Sequence, residues 1–370
     1  MFSRRLPWDQ EPNPLSRLLE QRRAAGAPLL DLTESNPTRA GITYPREIAD
    51  ALADERALRY DPSPRGLASA REAVAKYYAQ RGREVSPDQI LLTASTSEAY
   101  AYLFKLLADP GDEILTPRPS YPLFEFLAGL ESVQVKQYPL RYDGAWHVDF
   151  AALENMIGPR TRATVVVNPN NPTGSFLKPE ECERLAGLAA ARNIAVLADE
   201  VFSDYAFDGR SCLSSGATFA MSGLSKIAGL PQMKLGWIVV SDRAAMERLE
   251  LIADTYLSVA TPVQVALPKL LELSESVRAQ IRARTHANLD VLKTALEHSE
   301  FHVLHVEGGW NAVIQAPRVR SEQEWAMMLL EGRGVLVQPG FFYDFESEAY
   351  LVVSLLTAPE VFEEGVRRIL

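Results

Sequence analysis

The stretch SGLSKIAGLPQMKLGW, residues 222–237, decides how the rest of the chain is read. Lys226 sits among Gly223, Ser225 and Gly229, and a second lysine, Lys234, follows eight residues later. Glycines there let backbone approach a ligand closely and leave room beside the amine. A lysine amine becomes a nucleophile when it is partly desolvated. A solvated loop lysine has the same local sequence, so the surroundings must decide. ATFAM (217–221) before the stretch reads as a strand, and LGWIVV (235–240) at its end is apolar and β-branched enough to be another.

Working outward, the same rhythm repeats upstream. QILLT (89–93), EILT (113–116), residues 133–138, TVVV (164–167) and AVLA (195–198) are short apolar runs. Helices are predicted between them at 95–108, 121–130, 149–156 and 178–192, with RYDGAW (141–146) as a turn. Continuous apolar strands alternating with amphipathic helices predict a mostly parallel sheet covered on both faces, an α/β fold. Before it come an extended arm (1–12) and a helix capped by Asn13, with Pro14 first and Gly26 past its end. A strand at 29–32, a polar turn at 33–41 and helices at 45–57 and 67–81 follow.

After Arg243 long helices are predicted at 243–271, interrupted around Thr261–Pro262, and at 274–298. Strands at 301–306, 310–316, 334–338 and 350–356, with helices at 321–332 and the C-terminus, make a smaller α+β module. The expected division is a large domain at 44–255, with residues 1–43 and 256–370 together forming a small one.

Composition narrows the function classes. The chain has 370 residues, 47% hydrophobic and 23% charged, the balance of a soluble globular protein. A net charge of −10 argues against nucleic-acid or anionic-membrane partners. No apolar run approaches the roughly 20 residues of a spanning helix, and residues 1–14 lack the apolar core of a signal peptide. Cys182 and Cys212 fall in no ligand spacing and read as buried thiols of a reducing compartment, hence a cytoplasmic protein. His302 and His305 are three apart on an expected strand, on opposite faces, so no metal site is expected.

Ligands of open α/β sheets bind beyond the carboxyl ends of the strands. After 89–93 come Ser95, Thr96 and Ser97, where Ser95 and Glu98 suggest a capping box at a helix N-terminus suited to a phosphate. After 113–116 comes Tyr121, able to stack on a flat ring, with core packing as the alternative. After 164–167 comes NPNNPTG (168–174), a rigid turn projecting an amide. After 195–198 comes Asp199, a carboxylate that is costly there unless it meets a cation or strong donor. A phosphate cup, a ring, an amide, a buried carboxylate and a lysine are together what pyridoxal phosphate needs.

On NPNNPTG, Asp199 and SGLSK…KLGW the chain resembles the fold-type I pyridoxal-phosphate-dependent class I/II aminotransferases over essentially its whole length. The resemblance implies that Lys226 forms the internal aldimine and shuttles the proton, that Asp199 pairs with the pyridine nitrogen and that Asn171 bonds the ring hydroxyl. Asn171 and Asp199 are 28 residues apart, as is usual in that family. It further implies that Tyr121 stacks on the ring, that Ser95, Thr96, Ser97, Ser222 and Lys234 hold the phosphate, and that Tyr60 in YDPSPRG reaches the phosphate of a partner subunit, making a homodimer. The implied reaction moves an amino group from an amino donor to a 2-oxo acid. A lyase, decarboxylase or oxidase of the same fold is the alternative, and a ligand-sensing domain a third.

The chain departs from the family's pattern in four places. Lys234 stands where arginine is usual, losing the bidentate fork. Gly223 stands where a phosphate-binding serine is common, and Ser222 is the candidate replacement. Phe202 replaces a tyrosine that donates to the ring's phenolic oxygen, with Tyr205 a candidate substitute. Val352, in YLVVSLLT (350–357), takes the place of the arginine that binds the substrate α-carboxylate. Arg39, Arg65 and Arg118 are the candidate replacement cations.

Overall fold

The computed structural model describes residues 3–5, 11–208 and 216–370. Its strands are β1 Leu30–Asp31, β2 Ile90–Thr93, β3 Glu113–Arg118, β4 Gln134–Tyr142, β5 Trp146–Val148, β6 Thr161–Val167, β7 Ala195–Asp199, β8 Phe219–Gly223, β9 Gly236–Val240, β10 His302–Val303, β11 Asn311–Gln315, β12 Val335–Leu336, β13 Gln338–Pro339 and β14 Tyr350–Ser354. Eight of them form one sheet in the order β2-β9-β8-β7-β6-β3-β4-β5. Neighbours from β8 to β4 are parallel. β9 runs antiparallel to both β2 and β8, and β5 antiparallel to β4.

The apolar runs are continuous because both faces of this sheet are covered. Leu92, Leu115, Val166, Val196 and Val239 join one core with Val74 and Tyr78 of the helix Ala68–Ala79 and Leu267 and Leu270 of the helix Thr261–Leu296. Their neighbours Leu91, Ile114, Val165, Leu197 and Ile238 join another with Leu103 and Phe104 of the helix Thr96–Leu107. Successive strand residues point to opposite faces, so a strand buried on both has no polar alternation.

A four-stranded antiparallel sheet, β10-β11-β14-β13, buries Ala312, Ile314, Leu351 and Val353 against Trp325 and Leu329 of the helix Glu322–Arg333 and Phe362 of the helix Pro359–Ile369. β1 pairs in parallel with β12, tying the N-terminal segment to this unit.

Several expectations need correction. The helix expected at 45–57 is one turn, Glu47–Asp50, followed by two 3-10 turns, Ala51–Ala53 and Glu55–Leu58. The expected turn at 141–146 is a hairpin that adds β5. The helix expected at 121–130 starts at Phe124, and the strand at 301–306 shrinks to β10. The run at 334–338 splits into β12 and β13. The interruption at Thr261–Pro262 is the start of a new helix: the previous one, Arg243–Tyr256, ends at Leu257 in the left-handed region (φ 46°). Pro262 belongs in a first turn, where its missing N–H has no intrahelical role. No break follows at 271–274; the helix runs on to Leu296 despite Pro268. Cys182 is buried, and Cys212 lies outside the described residues.

The reversal of β9 places the lysine stretch. Residues leading into β9 emerge at the same edge as residues leaving β8, so Lys226 and Lys234 share the edge where β2, β3, β6 and β7 end. Gly223 pairs with Gly236, and Thr93 pairs with the same Gly236. A Cβ at Gly223 would lie 2.9 Å from Gly236 Cα and 2.9 Å from Leu235 O, both backbone atoms that cannot rotate away. A serine there has no room, which accounts for the glycine. Gly223→Ala is therefore expected to destabilise the chain by about 1–3 kcal/mol in chemical denaturation; an unchanged midpoint would count against this packing.

Candidate active site

Asp199 ends β7 and is buried. Its Oδ2 accepts the Tyr100 hydroxyl at 3.0 Å, and its Oδ1 accepts Val201 N–H at 3.1 Å. Burial pushes its pKa up to about 6, against the opposing pull of those two donors and of the Lys226 charge. Tyr100 lies one turn into the helix Thr96–Leu107, so one helix brings both its N-terminus and this donor to the edge.

Lys226 lies in the four-residue helix Leu224–Ile227 that follows β8, the strand next to β7. Its Nζ is 4.8 Å from the centre of the Trp310 ring and 5.3 Å from that of Phe202. Burial brings its pKa down to about 8, partly countered by the negative charge of Asp199. A much larger fraction of this amine is unprotonated near neutral pH than for an ordinary lysine. Tyr205 does not stand in for the absent Phe202 hydroxyl: its own hydroxyl donates to the backbone carbonyl of Lys226 at 2.6 Å.

The NPNNPTG turn sorts its three asparagines. Asn168 Oδ1 accepts Leu177 N–H at 2.9 Å, and Asn170 Nδ2 donates to Pro119 O and Thr173 Oγ1. Those two hold the turn. Asn171 is the one left to project, and Asn311 Nδ2 donates to its Oδ1 at 2.7 Å. That bond orients the amide with its N–H₂ as the remaining donor.

At the opposite side of the edge, Ser95 caps the helix by accepting Glu98 N–H at 3.1 Å. The expected capping box is only half formed, because the Glu98 carboxylate instead takes Ala94 N–H and the Ser258 hydroxyl, each at 2.6 Å. The amides of Thr96 and Ser97 have no intrahelical acceptor, and the dipole adds positive potential. Ser222 Oγ is buried with no partner among the described residues. Lys234 is exposed and sits in the left-handed region (φ 49°), a conformation costing an ordinary residue about 1 kcal/mol.

Two expected residues are exposed. Tyr121 is 49% exposed, and Tyr60 is 77% exposed beside a cleft of about 200 Å³ lined also by Ser63, Tyr102 and Ser258. Val352 lies in the apolar cluster of Trp146, Leu304, Val313 and Tyr343. Of the candidate cations, Arg65 pairs with Glu250 at 2.6 Å and Arg118 pairs with Glu346. Arg39 is exposed, on the turn whose Ala40 packs in the cluster of Phe202, Tyr205 and Trp310. Tyr100, Asn311 and Trp310 were not anticipated. Only Asn311 had a signal, its place after Gly308–Gly309, two glycines entering a strand.

The family model for class I and II aminotransferases matches residues 27–369, and the chain belongs to that family. Human tyrosine aminotransferase is 30% identical over 299 residues, 73% of this chain and 66% of that protein. A glutamate–pyruvate aminotransferase of Escherichia coli is 28% identical over 277 residues, 71% of this chain and 68% of that one. The chain thus spans just under two thirds of the tyrosine aminotransferases it matches. The alanine aminotransferase of Pyrococcus furiosus shares the fold, with a TM-score of 0.88 over 100% of this chain and 98% of that one at 22% identity. Aminotransferases of this class and fold depend on pyridoxal 5′-phosphate. The orphaned Ser222 hydroxyl, the free helix amides and the buried Asp199 fit that group.

Two outcomes test the geometry. Tyr100→Phe removes a hydrogen bond to a charged group, and cofactor affinity should fall about tenfold in a spectroscopic titration; unchanged affinity would show that Tyr100 plays no part. Phe202→Tyr supplies a donor to the ring oxygen, so the bound cofactor's absorbance should titrate at lower pH than in the parent chain. An absent or upward shift would contradict the placement of Phe202.

Proposed function

We propose that this chain is a pyridoxal-phosphate-dependent aminotransferase that moves an amino group from an amino acid or amine to a 2-oxo acid. One observation carries the reading: β7 ends in the buried carboxylate of Asp199, and the short helix that follows the adjacent parallel strand β8 carries Lys226, whose amine faces the rings of Trp310 and Phe202. The cofactor, when bound, supplies a ring that accepts electrons from the substrate's reacting carbon. Lys226 supplies the amine that holds it and carries the proton at the substrate's α-carbon. Asp199 holds a proton on the pyridine nitrogen, and the free N–H₂ of Asn171 meets the ring hydroxyl. Tyr121 covers the ring face. Ser95, Thr96, Ser97, Ser222 and Lys234 receive the phosphate.

The exposed Tyr60 supports a homodimer in which it completes the phosphate site of the other subunit. The proposed large domain, 44–255, ends just before the turn that separates the helices Arg243–Tyr256 and Thr261–Leu296; residues 1–43 and 256–370 make the small one. The acidic charge supports a cytoplasmic protein without nucleic-acid partners; among the described residues no helix is long and apolar enough to cross a membrane.

A lyase, decarboxylase or oxidase is the second reading. The apolar surroundings of Val352 and the paired states of Arg65 and Arg118 favour it, because bond choice follows how the substrate is oriented over the ring.

Mixing the holoenzyme with single amino donors, without a 2-oxo acid, separates the two. Transamination predicts stoichiometric conversion to the aminated cofactor. Catalytic release of ammonia or carbon dioxide would establish the second reading instead. Lys226→Ala should lose the cofactor label fixed by borohydride, and its retention would refute the assignment. In the parent chain, capture of added cofactor should accelerate as pH rises and level off above about 8; a rise continuing past pH 10 would mean an unperturbed lysine.

A further inference from the structure

The helix that carries Lys226 is too short to satisfy its own carbonyls. A helix leaves its last four C=O groups without intrahelical partners, and Leu224–Ile227 has only four residues. Leu224 O is served by the following turn, accepting Ala228 N–H and Leu230 N–H at 3.2 and 3.1 Å. Lys226 O accepts Gly229 N–H at 3.1 Å from the same turn and the Tyr205 hydroxyl at 2.6 Å from outside it. Ile227 O accepts Arg278 Nη1 at 3.2 Å, and Gly229 O, just beyond the helix, accepts the Tyr44 hydroxyl at 2.7 Å.

These donors come from three separate elements. Tyr205 belongs to the 3-10 turn Ser203–Tyr205 that follows Asp199, and Arg278 to the helix Thr261–Leu296. Tyr44 precedes the turn Glu47–Asp50. Tyr205 and Arg278 are both buried. The guanidinium is compensated: it lies 3.6 Å from Asp204, contacts Glu275 at 2.7 Å and donates to Ser274 Oγ at 2.6 Å. Asp204 is itself held by Arg81 at 2.6 and 2.8 Å.

We propose that Tyr205, Arg278 and Tyr44 are positioning residues that hold the backbone of Lys226, and with it the amine, over the site. A lysine has a long flexible stem, and here it leaves a segment bounded by Gly223 and Gly229. Without the clamp both the stem and its base are free, and reactive geometry is lost with small displacements. The helix that carries Arg278 also fixes other segments beside the site. Arg284 donates to Ala40 O at 2.9 Å, Gln280 brackets Thr43, and Asn288 donates to Leu355 O and Thr357 O at 2.8 Å each. One helix thus sets the lysine turn relative to the N-terminal turn and the end of β14.

The inference rests on Lys226 being the reactive lysine. The test uses holoenzymes of Tyr205→Phe, Arg278→Met and Arg278→Lys, with whichever of L-tyrosine, L-alanine and L-aspartate reacts fastest as donor. Tyr205→Phe and Arg278→Met should lower kcat about 10- to 100-fold at full cofactor occupancy, with KM changed far less. Capture of pyridoxal 5′-phosphate by the cofactor-free chains should slow in parallel, and Arg278→Lys should restore most of both rates. The Tyr205→Phe denaturation midpoint should stay close to the parent's. A lowered midpoint with parental kcat per loaded site and parental capture rate would make these residues structural only and overturn the proposal. If Lys226→Ala kept its borohydride-fixed label, the underlying reading would fail instead; loss of that label with unaltered Tyr205→Phe kinetics would sink the positioning role alone.

Discussion

A buried carboxylate and a half-buried lysine amine share one edge of the large sheet, and the rest of the site depends on that arrangement. Each charge is costly away from water, and each lowers the cost of the other. Burial drives Asp199 and Lys226 towards their neutral forms; the Val201 N–H, the Tyr100 hydroxyl and then the Lys226 charge limit the shift of Asp199 to about 6, and the Asp199 charge limits that of Lys226 to about 8. Tyr100 and Val201 N–H keep the carboxylate hydrogen-bonded, so it stays a usable acceptor. Strand β7 supplies Asp199, and the short helix that follows its neighbour β8 supplies Lys226.

The backbone path adds the remaining parts at little cost. The antiparallel strand β9 starts at the edge where β8 and β2 end, so Lys234, two residues before it, stays at that edge. The close approach of β8 and β9 requires Gly223, which explains why a hydroxyl is found one position earlier, at the orphaned Ser222. The substrate side is built differently. Val352 is packed among aromatic rings, and Arg118 is already paired with Glu346. Cofactor chemistry is therefore more fully specified by this chain than the grip on a carboxylate.

Much of this was legible in the sequence. The double-faced strands read as apolar runs because no face is wet; the strand ends point to Asp199 and to an amide within 168–174, and the family resemblance singles out Asn171 and Lys226. Local patterns failed where tertiary contacts overrule them. The segment 45–57 has helical composition, yet its residues break into short turns packed against the helix Thr261–Leu296. Hairpin strand β5 was hidden because RYDGAW looks like a turn and only pairing with β4 makes its end a strand. Pro262 looks like a break in sequence, although a proline one residue into a helix is well placed. Tyr100, Trp310 and Arg278 carry no motif; they matter through contacts far along the chain, which one sequence does not display.

A side-chain NMR titration of Lys226 in the cofactor-free chain tests most directly whether the charge of Asp199 acts on its amine. The expected midpoint is about 8, falling further in Asp199→Asn, where the carboxylate charge that favours the protonated amine is gone. A midpoint near the ordinary lysine value of about 10.4, or one indifferent to Asp199→Asn, would contradict it.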